Sequence, residues 1–463
     1  MGKDRLAAVI LAAGKGTRMK SELPKVLHAV AGVPMLKYPV GLARELGCAP
    51  TVAVIGHGAE TVETVLAGSG VLFALQSQQL GTGHALLCAE PQLAGFSGTV
   101  LLLCGDVPLL RRETLEALLH YHQAQQATVT VLTAHMPNPH GYGRIVRQGD
   151  EVLRIVEEKD AGQQQRAINE INTGIYALEA PFVFEALKTI GCDNAQGEYY
   201  LTDVLAAARS AGLRVCALAA GTPEETMGIN DRVQLAEAGA LMRQRINREL
   251  MLGGVTLVDP ATSYIEPQVR IGADCIIEPN VQLRGATVIG RGCRIDTGVC
   301  VDGCTVGDGV HLKAGSVMTA SSIGDRSEVG PMAHLRPGTV LVGENKIGNF
   351  VETKQSVLGQ GSKASHLTYI GDAEVGRKVN IGCGTITCNY DGINKHKTII
   401  EDEVFVGSDT QFVAPVRIGR GALIGAGSTI TRDVPADALA LSRPEQKIIE
   451  GWAAKQRAKQ QKK

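Results

Sequence analysis

Residues 265–300 read IEPQVR IGADCI IEPNVQ LRGATV IGRGCR IDTGVC, six successive hexapeptides that each begin with an aliphatic. Ile265, Ile271, Ile277, Leu283, Ile289, Ile295 and Val301 therefore stand six apart. After a five-residue step the register resumes at Val306, Leu312 and Met318, and after another at Ile323, Val329, Leu335, Leu341 and Ile347. Ile400, Val406, Phe412, Ile418, Ile424 and Ile430 repeat it late in the chain. Glycine often follows the aliphatic, as at Gly272, Gly290, Gly324, Gly348, Gly419 and Gly425. This period predicts a parallel β-helix, with one inward aliphatic per short strand and then a turn in which glycine tolerates positive φ. Three hexapeptides close one coil, and coils stack at ~4.8 Å. A Gly-rich β domain with a chance pattern is the competing reading, and the length of the unbroken runs argues against it.

Composition sets the frame. A chain of 463 residues is long enough for two or more domains. A net charge of −1 gives no general attraction to nucleic acid or anionic membrane. The apolar run Leu6 to Ala13 flows into Gly14-Lys15-Gly16 and is too short for a signal peptide, and no segment approaches the ~20 apolar residues of a membrane span. Met1-Gly2 is not a myristoylation signal, because Leu6 stands where Ser or Thr is needed. The 11 cysteines contain no C-x-x-C pair. They read as reduced thiols used as small apolar residues in a cytoplasmic protein, not as a zinc site.

Leu6 to Ala13 looks like a buried parallel strand. Further strands are expected at Thr51–Ile55, Val71–Leu75, Thr99–Cys104 and Thr128–Ala134, with helices between them such as Arg112–Gln125. That alternation predicts a Rossmann-like, doubly wound α/β domain with ligands outside the carboxyl ends of its strands. Gly14-Lys15-Gly16-Thr17-Arg18-Met19 and Asp106 lie at such ends. The glycine loop lacks the third glycine of G-x-G-x-x-G and the G-K-[ST] ending of a P-loop. It is either a phosphate cradle, with Arg18 and Lys25 supplying charge, or an ordinary strand-to-helix turn. Asp106 is a cap or, beside a triphosphate, a Mg²⁺ ligand. Gln79-Leu-Gly-Thr-Gly83 is a second glycine-rich turn, and Gly141–Ile145 and Glu170–Gly174 look turn-like.

Leu11-Ala-Ala-Gly-Lys-Gly-Thr-Arg-Met19 with Pro24-Lys25 resembles the signature of sugar-phosphate nucleotidylyltransferases. Gln79-Leu-Gly-Thr-Gly-His84, Gly141-Tyr-Gly-Arg-Ile145, Val156–Asp160, Glu170–Gly174 and Gln196–Tyr200 narrow the likeness. It is to the bifunctional N-acetylglucosamine-1-phosphate uridylyltransferase/glucosamine-1-phosphate acetyltransferases, over nearly the whole chain. The resemblance implies that Leu11, Ala12, Ala13, Gly14, Lys25, Gln76, Gly81, Thr82, Cys104, Gly105, Asp106, Gly143, Glu157, Asn172 and Asn230 contact the nucleotide sugar. Asp106 and Asn230 would hold Mg²⁺, and Arg18 and Lys25 would act in uridylyl transfer from UTP. Cys104 departs from the family, which commonly has an aromatic there.

The period fails after Ile347 and around Thr387–Lys397, and functional residues in a solenoid are expected at such breaks. His366 lies in the first, with Lys354 and Tyr369. A histidine there is either a structural residue or a base whose ordinary pKa suits deprotonation of an amine. Arg336-Pro-Gly, Asn349–Glu352, His366–Tyr369, Asn380-Ile-Gly, Asn389–Gly392 and Val406–Gln411 are similar to the acetyltransferase half of the family. The resemblance makes His366 the general base. Arg336, Lys354, Tyr369, Asn380 and Lys395 become the acceptor site, and Cys383, Asn389, Tyr390, Ser408, Ala426 and Arg443 the acetyl-CoA site. Cys383 stands where the family often has alanine. A left-handed coil and a homotrimer are likewise family expectations, as is supply of UDP-N-acetylglucosamine for peptidoglycan and lipopolysaccharide.

Residues 231–251 have helical composition, capped by Asp231 and stopped by Gly253-Gly254. The expected organisation is thus a uridylyltransferase domain over 1–230, a connecting helix over 231–251, and an acetyltransferase β-helix with a basic tail over 252–463. Two other readings compete: a nucleotidylyltransferase whose β-helix is only structural or regulatory, and a non-catalytic scaffold. The polar cluster around His366 speaks against the first and the set Lys25, Asp106 and Asn230 against the second.

Overall fold

The computed structural model describes residues 5–461. It divides into two compact units, Met1–Met242 and Arg243–Lys463.

The first unit is built on a mixed sheet. Its strands run in the order Val215–Ala219, Val129–His135, Glu170–Glu179, Thr99–Cys104, Leu6–Leu11, Thr51–Ile55, Leu72–Leu75. Along Leu6–Leu11 alternate side chains enter two different cores, Ala7 and Val9 one and Ile10 the other. Val52 and Val54 likewise separate from Ala53 and Ile55, and Val100 and Leu102 from Leu101 and Leu103. A sheet covered on both faces needs no polar positions, which is why these strands read as continuous apolar runs. Each fully buried aliphatic side chain contributes about 1.5–3 kcal/mol. Three strands depart from the doubly wound expectation: Arg144–Gln148, whose first residues look turn-like in the sequence, pairs antiparallel with Glu151–Val156 and with Glu170–Glu179, the third. Glu170–Glu179 pairs antiparallel with both neighbours, and its register shifts between Asn172 and Tyr176. Glu170–Gly174, read from sequence as a turn, is therefore strand. Gly174, at φ +78°, makes the bulge that hides the alternation.

Leu11 is in register with Val54 on one side and Cys104 on the other. The glycine loop and Asp106 thus leave the sheet at the same edge. A helix follows over Arg232–Leu252. Asp231 Oδ1 accepts the backbone N–H groups of Val233 and Gln234, both at 2.9 Å, and caps its start.

The second unit is a hexapeptide β-helix with three stacked columns. One runs Ile271, Ile289, Val306, Ile323, Leu341, Leu358, Val375, Ile400, Ile418. The second runs Ile277, Ile295, Leu312, Val329, Ile347, Ala364, Ile381, Val406, Ile424. The third runs Ile265, Leu283, Val301, Met318, Leu335, Thr353 and Ile370, then Thr387, Phe412 and Ile430. Cys275, Cys293 and Cys304 are buried among them.

Two expectations need correction. The period does not fail after Ile347. Thr353 and Ala364 occupy inward places, so the aliphatic identity lapses while the spacing holds. The real interruption is single. Val375 is followed in its column by Ile400, seven residues later than an eighteen-residue coil would place it, and the surplus is the polar segment around Asn389–Lys395. The glycines after the aliphatics also serve a different purpose. Gly272, Gly290, Gly324 and Gly348 do not have positive φ. A Cβ on Gly272 would meet Gly290 O at 2.7 Å, one on Gly324 would meet Val342 O at 2.1 Å, and one on Gly348 would meet Ser365 O at 1.7 Å. They are required because coils touch backbone to backbone. Left-handed residues occupy another corner position, through Gly298 and Gly315 and then Met332, Phe350 and Leu367.

Candidate functional site

The carboxyl edge of the sheet gathers three groups of residues. In the first, Gly14 has open space where a Cβ would be, so a ligand can reach its backbone. Gly105 N donates to Leu11 O at 2.9 Å, which joins the strand end to the loop carrying Asp106. Lys25 Nζ contacts Asp106 Oδ2 and lies 3.3 Å from Asn230 Oδ1. Arg18 Nη2 donates to the same Asn230 oxygen at 2.9 Å. Ile229 N donates to Asp106 O at 3.0 Å and holds the Asn230 segment against that loop. One carboxylate oxygen and one amide oxygen thus converge on a single cationic point. Hard oxygen donors of this kind fit Mg²⁺, which takes its other ligands from water and phosphate. Among the described residues no group of three His, Cys, Asp or Glu side chains competes for a metal.

The second group is Gln76, Gly81 and Thr82. Gln76 Nε2 donates to Gly81 O at 3.1 Å, and Thr82 Oγ1 accepts Leu201 N at 3.3 Å. Gly81, at φ +109°, leaves no room for a Cβ beside Tyr199 O, 2.7 Å away. Ala12 N donates to Val54 O, and Gly56 is packed between Ala13 O and Gln76 O, so the first and second groups share a wall.

The third group comes from three strands or their ends: Gly143, Glu157 and Asn172. Asn172 N donates to Gly143 O at 2.8 Å, and a Cβ on Gly143 would stand 3.3 Å from Glu157 Oε1. Burial first, and then the charge of Asp160, pushes the Glu157 carboxyl above its ordinary value. Tyr176 OH donates to Asn172 Oδ1 at 2.9 Å. The Cys104 thiol donates to Gly174 O at 3.4 Å, and burial pushes it up to about 12, so it stays protonated. The Tyr142 hydroxyl is also pushed up by burial, opposed by a backbone hydrogen bond at Gly228, which brings it beside the Asn230 segment.

In the β-helix the candidate residues fall at two successive corners. Asn349 is in register with His366, and the same stacking continues through Cys383, Ser408 and Ala426. Backbone bonds from Asp409 N to Cys383 O and from Gly427 N to Ser408 O tie the column. Arg443 Nη1 donates to Ala426 O at 2.7 Å. His366 Nδ1 lies 3.1 Å from Asn349 Oδ1. With that oxygen accepting, Nδ1 carries the proton and Nε2 keeps its lone pair for an incoming amine. The Cys383 thiol is exposed in this column, and its carbonyl is spent on coil stacking.

The other corner carries Arg336, Lys354 and the polar segment. Arg336 Nη1 donates to Glu352 Oε1 at 2.8 Å. The Lys354 ammonium is held below its ordinary value, first by Lys395, then by desolvation, and Arg336 adds to the effect. Lys354 therefore stands among cations that disfavour its own charge, an arrangement that suits an anion. The Asn389 amide donates to Asp372 Oδ2, and His396 N donates to Asn389 O at 2.8 Å. Asp391 Oδ1 accepts Ile393 N and Asn394 N, while Oδ2 lies 2.6 Å from His396 Nε2. The Asn394 backbone N–H, with His396, holds its carboxyl down at about 2. That turn presents Tyr390 and Lys395 on a short antiparallel bridge. Tyr369 lies on the strand joining the two corners, its ring over Gly371, and Asn380 follows one coil after Lys363.

Sequence reasoning quoted Asn349 and Glu352 only as the ends of a motif, without a role, and passed over Asp372; they are the partners of His366, Arg336 and Asn389. The signal was available. Each pair is 16 or 17 residues apart, one coil, and residues a coil apart stack. Tyr199, whose carbonyl accepts Gly83 N at 2.9 Å, entered the sequence reading only inside Gln196–Tyr200, with no role of its own.

Three family models match the chain: a MobA-like NTP transferase domain over residues 8–171, a GMPPB C-terminal domain over 260–349, and six bacterial transferase hexapeptides over 397–432. Among curated relatives, the "Bifunctional protein GlmU" of Syntrophotalea carbinolica is 66% identical, covering 98% of this chain and 97% of its own. The GlmU proteins of Pelobacter propionicus and Geobacter sulfurreducens are 58% and 56% identical, each over 98% of this chain and 100% and 99% of their own.

Proposed function

The chain belongs to the family of the bifunctional protein GlmU, and from that premise we propose how its residues divide the work. It is a transferase with two activities in UDP-N-acetylglucosamine synthesis. It acetylates glucosamine-1-phosphate with acetyl-CoA and transfers uridylyl from UTP to N-acetylglucosamine-1-phosphate with release of pyrophosphate. We assign uridylyl transfer to residues 1–230, the connection to 231–251 and acetyl transfer to 252–463.

In uridylyl transfer the sugar phosphate attacks the α-phosphorus of UTP in line, and pyrophosphate leaves. The nucleophile is already anionic, so positioning and charge do the work and no strong base is required. Leu11 to Gly14, Gln76, Gly81 and Thr82 receive the nucleotide. Gly143, Glu157 and Asn172 receive the sugar, and Cys104 to Asp106 floor the site. Arg18 and Lys25 offset the charge that gathers on the phosphates. Asp106 and Asn230 would hold Mg²⁺, whose chemistry is to neutralise phosphate oxygens. The observation that carries this reading is the Lys25 ammonium shared between Asp106 and Asn230.

In acetyl transfer His366 Nε2 accepts the proton of the glucosamine amine as nitrogen attacks the thioester carbonyl. The carbon–sulfur bond breaks, His366 returns the proton to the departing sulfur, and coenzyme A leaves as the thiol. Arg336, Lys354 and Lys395 hold the sugar phosphate, with Tyr369 and Asn380 about the ring. Cys383, Asn389, Tyr390, Ser408, Ala426 and Arg443 receive acetyl-CoA.

The protein is an oligomer-forming hexapeptide enzyme of small-molecule substrates, and we propose a homotrimer working in the cytoplasm without nucleic acid. Support comes from Met332, Phe350 and Leu367, which stack at one corner beside His366 at 55%, 60% and 61% exposure. A left-handed backbone at such side chains is unfavourable by about 1–2 kcal/mol each, which burial against a second copy would offset. No helix of the described residues is long and apolar enough to cross a membrane.

The test assays both reactions on one preparation, with and without EDTA, beside His366→Ala. Chelation should abolish pyrophosphate release from UTP and N-acetylglucosamine-1-phosphate while leaving thioester loss intact. His366→Ala should do the reverse. Loss of thioester by His366→Ala at the wild-type rate would sink the assignment of the base.

A further inference from the structure

Arg144 is 2% exposed, among the largest fully buried side chains of the described residues. It opens the strand Arg144–Gln148, whose next residue, Ile145, belongs to the apolar core with Val152 and Ile155. A buried guanidinium is expensive unless its donors are met, and an apolar residue of similar volume is often no worse for stability. Here one donor is not met, since Arg144 Nε is buried without a partner. Its two terminal nitrogens are spent on two different segments. Nη1 donates to Tyr142 O, and Nη2 donates to Glu158 Oε2 at 2.7 Å. That same carboxylate oxygen accepts Gly141 N at 3.3 Å.

Both partners sit next in sequence to candidate sugar contacts, Tyr142 to Gly143 and Glu158 to Glu157. Gly143 and Glu157 are close enough that a Cβ on the first would press on the carboxylate of the second, and Gly143 O receives Asn172 N. The guanidinium is rigid and planar, so it fixes the distance between the two segments it bridges, as a lysine's single ammonium cannot.

We propose that Arg144 is a positioning residue for the sugar phosphate in uridylyl transfer. It sets the gap between Gly143 and Glu157 without touching substrate. This rests on the assignment of Gly143, Glu157 and Asn172 to the sugar, and Glu157→Gln tests that assignment separately.

The experiment measures steady-state uridylyl transfer by Arg144→Met and Arg144→Lys, varying each substrate with the other saturating. A melting curve of each variant is recorded alongside. Arg144→Met should raise KM for N-acetylglucosamine-1-phosphate roughly tenfold to a hundredfold and leave KM for UTP within about twofold. Arg144→Lys, which keeps the charge on Glu158 and loses the bridge, should fall between. If Arg144→Met does not fold, Glu158→Gln reads the same coupling and should raise the same KM. Equal rises for both substrates mark a merely structural residue and overturn the proposal, as does no change in either. If Glu157→Gln leaves the sugar KM untouched, the sugar assignment fails first, whatever Arg144 does.

Discussion

A Cβ placed on Gly16 would stand 2.5 Å from the Cβ of Lys25. The glycine loop therefore does two things. Gly14 leaves space for a ligand, whereas Gly16, at φ +59°, is the surface on which the Lys25 stem lies. Gly16→Ala should push the Lys25 ammonium away from Asp106 and Asn230 and cut uridylyl transfer about a hundredfold. Acetyl transfer by the same sample should be unchanged. Full uridylyl activity in the variant would show that Lys25 does not depend on this contact.

The Asn349 amide decides which nitrogen of His366 carries its proton. His366→Ala should lower acetyl transfer by about 10²–10⁴. Asn349→Leu keeps the imidazole and frees its tautomer, so a smaller loss, roughly tenfold, is expected in kcat with little change in either KM. Loss of thioester absorbance follows both, since the protein's 11 cysteines would confuse a thiol dye.

Lys354 gives acceptor binding a pH limit. Its ammonium is held below the ordinary 10.5, first by Lys395. A lysine is charged below its pKa, so affinity for glucosamine-1-phosphate should be complete below the lowered value. It should be lost as pH rises through it, earlier than an ordinary lysine would allow. Lys395→Ala removes the leading cause and should move that alkaline limb to higher pH, even as it weakens binding overall. A profile of KM against pH that is identical in the variant would rule out the coupling.

Gly348 is where the solenoid has least space. A Cβ there would lie 1.7 Å from Ser365 O, one residue from His366. Gly348→Ala should destabilise the second unit by about 3 kcal/mol, as overpacking does. Its thermal unfolding should move down, and acetyl transfer should be lost at temperatures where uridylyl transfer persists.

The β-helix was open to reading because its signal is redundant. Every coil restates the spacing, and even the one long interruption leaves the columns in register. What the spacing could not convey was purpose. Aliphatic identity lapses at Thr353 and Ala364 without any change of geometry, and Ile-Gly pairs look alike whether glycine serves φ or contact. In the first unit the parallel strands were legible from their apolar runs. The antiparallel strand Glu170–Glu179 was not, because the bulge at Gly174 breaks its alternation. Site residues were found mainly through resemblance. Their partners, such as Asn349 for His366 and Glu158 for Arg144, depend on which backbones lie side by side.

The seven surplus residues between Val375 and Ile400 leave the coils before and after them undisturbed. Length at that corner is thus independent of length everywhere else in the solenoid. The segment is braced internally, with Asp391 gripping Ile393, Asn394 and His396, so it carries its own shape with it. A scaffold of this kind separates inheritance into two ledgers. Selection can rewrite the extruded segment, and with it the choice of acyl donor or acceptor, while the stacked repeats that present it go unrevised.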